Sequence, residues 1–313
     1  LDIHTVINSI FGNQISTNEL LKTLAQMNIT YDEFKNALIN YHNTDSLINT
    51  VQDIKVLDSL INQVINNCPG MSEMDALRFI YLLEGEGSNC GGICNYASAA
   101  NMIFNYYINN EVQFKLDFGY DMRLADGSLN EARLLVDMFS YINMKNGMLI
   151  KEVDGKYNVS TTSNEYHNLS SSSNWTSIND FLESKNSNMR VNLSQVIDTI
   201  SNIVTSEDAL NTIKEALENG KNVMLSIATD DVRWVDSLGN EVTTSLRGAH
   251  IMTVTGIDSN GNIVLDSWGT EYRANLNSIL RNIPLAYHTK DMEIAVGYAR
   301  ISIYDYVNKE SYV

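Results

Sequence analysis

Hydrophobic residues in the first 70 positions recur at the spacing of helices. Two candidate capping boxes, Ser16 with Glu19 and Thr30 with Glu33, each precede apolar residues three and four positions apart. A longer apolar stripe follows and ends at Pro69-Gly70; its members are Leu47, Val51, Ile54, Leu57, Ile61 and Val64. This region is therefore predicted to be helical, with apolar faces that need a partner.

The next segment predicts a helix, a glycine-rich loop and a second helix. Ser72 can cap a helix that runs through Leu83, with Asp75 three residues after the cap. Residues 84–92 contain four glycines, which is typical of a loop. An apolar helical pattern resumes at Ile93 with small residues behind it, so Cys94 is expected at a helix N-terminus.

The second half of the chain reads as strands preceded by one helix. Residues 158–177 are rich in Ser, Thr and Asn and predict an exposed loop or an internal boundary. A helix over 205–219 should end at Gly220 and lead into a strand that begins at Asn222. Strands over 250–257 and 262–268 flank a turn at 258–261, and a last strand is expected near 297–304. The fold class is predicted to be α+β, with a mainly antiparallel sheet.

Composition and charge narrow the classes of partner. The chain has 313 residues, of which 44% are hydrophobic and 19% charged, so it is expected to form a large core in one or two domains. The formal net charge of -17 argues against nucleic acid or an anionic membrane as a partner. No apolar run approaches the ~18 residues of a membrane-spanning helix. The sequence begins at Leu1, and we expect a fragment or a processed form.

Three cysteines, Cys68, Cys90 and Cys94, are too few for the disulfide framework of a small secreted protein. Cys90 and Cys94 have the spacing of two zinc ligands, but no second pair of ligands stands nearby in the sequence. No metal is therefore predicted. Two alternatives remain for Cys90: it has no role, or it pairs with Cys68.

Cys94, His250 and Asp266 together suggest nucleophilic catalysis. A thiolate is favoured at a helix N-terminus and beside an imidazolium. His250 begins one strand of the predicted hairpin and Asp266 ends the other, so the carboxylate is expected beside the imidazole that it would orient. The alternatives are a buried structural cysteine and a core histidine.

Several sequence blocks resemble, in order, the papain-like cysteine peptidase superfamily, including its bacteriocin-leader peptidase relatives. The resemblance covers about residues 84–310 and is carried by the blocks Gly-Ile-Cys94-Asn-Tyr-Ala-Ser-Ala, Ala216-Leu-Glu-Asn-Gly220, Gly248-Ala-His250-Ile-Met-Thr-Val-Thr-Gly, Asp266-Ser-Trp-Gly-Thr270 and Gly297-Tyr-Ala-Arg-Ile. It implies a papain-like fold, with a nucleophile helix packed on the sheet. It also implies Cys94 as nucleophile, His250 as base, Asp266 as the orienting residue and Trp268 as a shield for that pair.

The chain departs from the family pattern around the cysteine. The family's oxyanion glutamine lies six residues before the nucleophile, where this chain has Ser88; the neighbouring Asn89 could donate instead. Asn95 stands where papain-type enzymes carry Trp, so the substrate must pack differently beside the thiol. Cys90-Gly91 resembles the Cys-Gly start of some bacteriocin-leader peptidases, which makes Cys90 the alternative nucleophile.

The predicted function is a thiol hydrolase that cleaves peptide or protein amide bonds through an acyl-enzyme, without a cofactor. A glutamine deamidase or acyltransferase with the same triad is an alternative, and an inactive papain-like binding module is another. Residues 1–70 are predicted to form a helical accessory or pro-like region, and residues 71–313 the catalytic domain. Export from a bacterial cell is the expected localisation.

Overall fold

The computed structural model describes residues 23–41, 47–84, 93–144, 148–154, 156–161, 175–198, 206–228, 231–236, 238, 240–245, 249–267, 270–276 and 298–312. The helices are α1 (Tyr31–Tyr41), α2 (Leu47–Asn67), α3 (Glu73–Glu84), α4 (Ile93–Tyr107), α5 (Glu111–Phe118), α6 (Glu131–Met144), α7 (Trp175–Ser184) and α8 (Ser206–Glu218). The strands are β1 (Met148–Val153), β2 (Lys156–Thr161), β3 (Met189–Asp198), β4 (Asn222–Ala228), β5 (Asp231–Asp236), β6 (Glu241–Ser245), β7 (Ala249–Ile257), β8 (Ile263–Ser267), β9 (Thr270–Ala274) and β10 (Tyr298–Asn308).

Contacts divide the chain into two units. The first takes Leu1–Gly91 and Ala132–His167, and the second takes Gly92–Glu131 and Asn168–Val313. The first unit thus contains α1, α2, α3 and nearly all of α6, together with the β1–β2 hairpin. The predicted division into 1–70 and 71–313 stays a prediction, and these contacts place α3 and α6 with the helices that precede residue 70.

Local capping signals fix the helices of the first unit. The Thr30 hydroxyl accepts from the Glu33 backbone N–H at 3.2 Å, and the Glu33 carboxylate accepts from the Thr30 N–H at 3.1 Å, which confirms that capping box. The Ser72 hydroxyl likewise accepts from the Asp75 N–H at 3.1 Å. The box predicted at Ser16 and Glu19 lies outside the described residues.

The apolar stripe predicted on α2 faces the core of the first unit. Leu57, Ile61 and Val64 are buried, and the helix ends at Asn67, before Pro69-Gly70. Beside this stripe, fully buried Asp137 of α6 accepts hydrogen bonds from side chains of α2. The first unit therefore combines an apolar core with a buried polar contact between α2 and α6.

An eight-stranded antiparallel sheet organises the second unit and confirms the α+β class. The strand order is β3-β10-β4-β7-β8-β9-β5-β6. Helix α8 contributes Ala209, Ile213 and Ala216 to an apolar cluster with β4, β7, β8 and β10. Helix α4 packs on β7 and β8. A papain-like form of this architecture remains a prediction.

The strand and helix predictions of the second half are largely confirmed, with one correction. The predicted hairpin is β7–β8, the last strand is β10, and the helix before β4 ends near Gly220, whose φ is +70°. Residues 158–177 contain the division between the two units, at His167 and Asn168, so the predicted internal boundary is confirmed; they are not wholly loop, because β2 extends to Thr161 and α7 begins at Trp175. Within the described residues, no helix is long and apolar enough to cross a membrane.

Candidate active site

Cys94 lies at the start of α4, where the sequence predicted it. Its side chain is partly buried, and burial raises the pKa of the thiol. Backbone hydrogen bonds from Ile251, Asn95 and Cys94 itself act in the opposite direction, but they are the smaller effects. The described surroundings therefore raise the thiol pKa, whereas the helix N-terminus alone predicted a lower one.

The first turns of α4 lie against the beginning of β7. The carbonyl of Ile251 accepts a hydrogen bond from Ser98 Oγ at 3.3 Å, and the backbone of Ile251 is among the groups that lower the pKa of the Cys94 thiol. Ile251 directly follows His250, whose backbone stands opposite Ile227 of β4. The backbone of β7 thus brings His250 next to the segment that touches Cys94; the side chain of His250 lies outside the described residues.

Asp266 lies on β8 and is joined to the same helix. Asn101 of α4 donates from Nδ2 to Asp266 Oδ1 at 3.3 Å. In the sheet, Asp266 pairs with Thr253 of β7 and with Glu271 of β9. It was expected directly beside His250, and the register instead places it opposite a residue three positions further along β7.

Two features of the hairpin explain this register. The paired residues Ile257 and Ile263 centre the turn on Asn260, closer to Asp266 than to His250. A bulge between Val254 and Gly256 then shifts the pairing by one residue. The turn predicted at 258–261 has nearly this centre and already excludes direct pairing of Asp266 with His250, so that expectation was wrong; the bulge only moves the partner of Asp266 from Val254 to Thr253.

Polar side chains around Asp266 were missed by the sequence analysis. Glu131, the first residue of α6, has a buried Oε1 without a hydrogen-bond partner among the described residues, and the same holds for Thr253 Oγ1. The pKa of Glu131 is raised, first by burial and then by the charge of Asp266. Asn101 stands seven residues after Cys94, two helical turns, so helical spacing was the signal that could have found it.

Several predicted site residues lie outside the described part of the chain, namely Ser88, Asn89, Cys90 and Trp268. Asn95 is buried behind Cys94. Cys68 carries a free thiol and belongs to the first unit. Among the described residues there is no cluster of three His, Cys, Asp or Glu side chains that could hold a metal ion.

The described arrangement supplies three elements of thiol chemistry: a cysteine at a helix N-terminus, a histidine at the adjoining strand and a carboxylate tied to the cysteine's helix. Residues that are far apart in the sequence meet here because α4 packs on β7 and β8. Comparison of the chain with protein-family models, curated proteins and solved structures gives no match.

Proposed function

We propose that this chain is a papain-like cysteine hydrolase acting on peptide or protein amide bonds, with Cys94, His250 and Asp266 as its triad. One observation carries the proposal: helix α4, which has Cys94 in its first turn, contacts β7 at Ile251, the residue next to His250, where Ser98 Oγ donates to the Ile251 carbonyl at 3.3 Å. The Asn101–Asp266 hydrogen bond supports it, because it joins the third residue to the helix of the nucleophile.

In the proposed reaction, His250 takes the thiol proton and the Cys94 thiolate attacks the carbonyl carbon of an amide. The tetrahedral intermediate collapses when His250 gives its proton to the leaving amine, which breaks the C–N bond and leaves a thioester. Water, deprotonated by His250, then attacks the thioester and releases the acid and the thiol. Backbone N–H of Cys94 and the side chain of Asn89 would stabilise the oxyanion.

The triad places a geometric demand on His250. Because Asp266 stands opposite Thr253 and not opposite His250, the imidazole must turn toward α4 at the beginning of β7 to reach both the thiol and the carboxylate. Cys94 also depends on this imidazole, since burial alone raises the thiol pKa. Loss of His250 should therefore leave Cys94 less reactive than an exposed thiol.

The testing experiment is labelling with an epoxide thiol inhibitor at pH 6, read by intact mass and peptide mapping, on the wild type, His250→Ala and Cys94→Ala. We expect one label on Cys94 of the wild type, at least about 100-fold slower labelling in His250→Ala, and none at that peptide in Cys94→Ala. Cys68, a free thiol in the other unit, serves as the internal reference for an unactivated cysteine.

Other outcomes would contradict the proposal in different ways. Labelling at Cys90 that depends on His250 would move the nucleophile by four residues and overturn the assignment of Cys94. Equal labelling of Cys94 in the wild type and His250→Ala would overturn the dyad.

A binding module on the same scaffold is the second candidate, because burial raises the pKa of the Cys94 thiol. In that case Cys94 should react at pH 6 no faster than Cys68, and the His250→Ala substitution should have no effect on either. The labelling experiment therefore separates the two candidates without knowledge of a substrate.

A further inference from the structure

The carboxylate of Asp266 is attached to the nucleophile helix by one described hydrogen bond. Asn101 Nδ2 lies 3.3 Å from Asp266 Oδ1, and the contact is partly buried. Asn101 and Cys94 belong to the same helix, two turns apart. The hydrogen bond therefore couples the position of the carboxylate on β8 to the helix that carries the thiol.

The other described neighbours of Asp266 make this donor important. Glu271 stands directly opposite on β9, and Glu131 lies near enough for its pKa to be raised by the charge of Asp266. Arg273 lies two residues after Glu271 on β9, and its guanidinium contacts Glu271 and Asp258. Repulsion from Glu131 and Glu271 disfavours a single orientation of the Asp266 carboxylate. The hydrogen bond donated by the Asn101 amide favours one orientation.

We propose that Asn101 is a positioning residue: its amide fixes Oδ1 of Asp266, so that the carboxylate is held in the orientation in which it can accept from His250. This inference rests on the proposed function. Asn101 touches neither substrate nor thiol in this role; it acts through Asp266 alone.

The test compares second-order rates of inhibitor labelling at Cys94 in Asn101→Ala, Asn101→Asp and Asn105→Ala. Asn105 is the matched control, because it is an exposed asparagine of the same helix. At pH 7 we expect Asn101→Ala to label about tenfold more slowly than the wild type, which corresponds to one lost charge-assisted hydrogen bond. Asn105→Ala should stay within about twofold.

The aspartate variant separates positioning from packing. Aspartate is nearly isosteric with asparagine, so a role in packing predicts that Asn101→Asp is milder than Asn101→Ala. Positioning predicts the reverse order at pH 7, because a third acidic side chain would then face Asp266 in addition to Glu131 and Glu271. At lower pH the labelling rate of Asn101→Asp should come closer to that of the wild type, because a protonated aspartic acid at position 101 can donate a hydrogen bond to Asp266.

Two results would overturn the inference. If Asn101→Ala labels as fast as Asn105→Ala while the wild type labels normally, the positioning role fails and the proposed function stands. If the wild type itself does not label at Cys94, both fail. Thermal unfolding of each variant identifies a folding defect, and Asn101→Ala, which adds no charge, carries the test if the aspartate variant does not fold.

Discussion

Two opposing effects act on the thiol of Cys94. A helix N-terminus and nearby backbone N–H groups favour the thiolate, while burial disfavours it and is the largest cause of the raised pKa. The sequence predicted the position at the helix N-terminus correctly, because the glycine-rich loop and the apolar helix are local signals. It could not predict how deeply the thiol is buried, because that depends on β7, whose Ile251 lies more than 150 residues later in the sequence.

Glu131 should lower the stability of the protein at neutral and higher pH. Its pKa is raised above the ordinary 4.5 by burial and by Asp266, so the folded state disfavours the ionised form. Below pH 4.5 Glu131 is protonated and does not destabilise the folded state. As pH rises through the folded-state pKa of Glu131, the carboxylate ionises and the free energy of unfolding falls. Glu131→Gln should therefore raise Tm at pH 8 and have little effect on Tm at pH 4. The rise at pH 8 should be only about 2 °C, because solvent screens the charge of a partly exposed group.

The control for this prediction is Glu183→Gln, which changes an exposed glutamate of α7. It should leave Tm unchanged at both pH values. Thermal unfolding followed by circular dichroism measures all three proteins. A Tm for Glu131→Gln that is equal to the wild type at pH 8 would show that Glu131 is not strained by its surroundings.

Elements whose limits are set by local signals were predicted well. The capping box at Thr30, the cap at Ser72 and the turn at Asp258 to Gly261 all appear where the residue types indicated. The partner of Asp266 was predicted wrongly although the turn was predicted correctly, because strands that meet at a turn over 258–261 cannot pair Asp266 with His250; the bulge in β7, which leaves no mark in the sequence, moves the partner by only one residue. Consequently both strands of the candidate site were located, but the neighbour of Asp266 was not.

The β7–β8 turn depends on Gly261, whose φ is +78°. An L-residue in this region of backbone space is strained, so Gly261→Ala should destabilise the protein by about 1 kcal/mol although a Cβ would meet no atom within 4 Å. Gly256→Ala is the matched control in the same hairpin, since its added Cβ also meets nothing within 4 Å and its φ is not positive. Urea unfolding of both variants measures the difference, and equal midpoints would contradict it.

At the scale of the whole molecule, the two units are discontinuous in sequence. Helix α2 contacts α6 across more than 65 residues of chain: Gln63 Nε2 donates to Asp137 Oδ1 at 2.7 Å, and Asn67 Nδ2 donates to the same oxygen at 3.0 Å. Such pairings have no signature in a single sequence, where α2 shows only that its apolar face needs a partner. The boundary predicted at residue 70 followed the helical periodicity and its end at Pro69-Gly70, whereas the division by contacts follows these long-range partners.

Removal of residues 1–70 should destabilise the first unit, although this segment was predicted to be an accessory or pro-like region. The variant 71–313 would lose α1 and α2, and would expose to water the side of α3 that packs on α2. Buried Asp137 would also lose two hydrogen-bond donors. We expect a lower Tm and increased binding of a hydrophobic dye, and a variant as stable as the full chain would contradict this expectation.

Two adjacent asparagines test the same contact without a deletion. Asn67 donates to Asp137 and, at 2.8 Å, to Ser140 Oγ, whereas Asn66 on the same helix is exposed. Asn67→Ala should cost about 1–3 kcal/mol of unfolding free energy, because it removes a donor from partners that are buried, and Asn66→Ala should cost less than about 0.5 kcal/mol. Urea unfolding measures both, and labelling at Cys94 should proceed at the same rate in each folded variant. Equal stabilities would mean that the hydrogen bonds from Asn67 to Asp137 and Ser140 contribute nothing to the stability of the first unit.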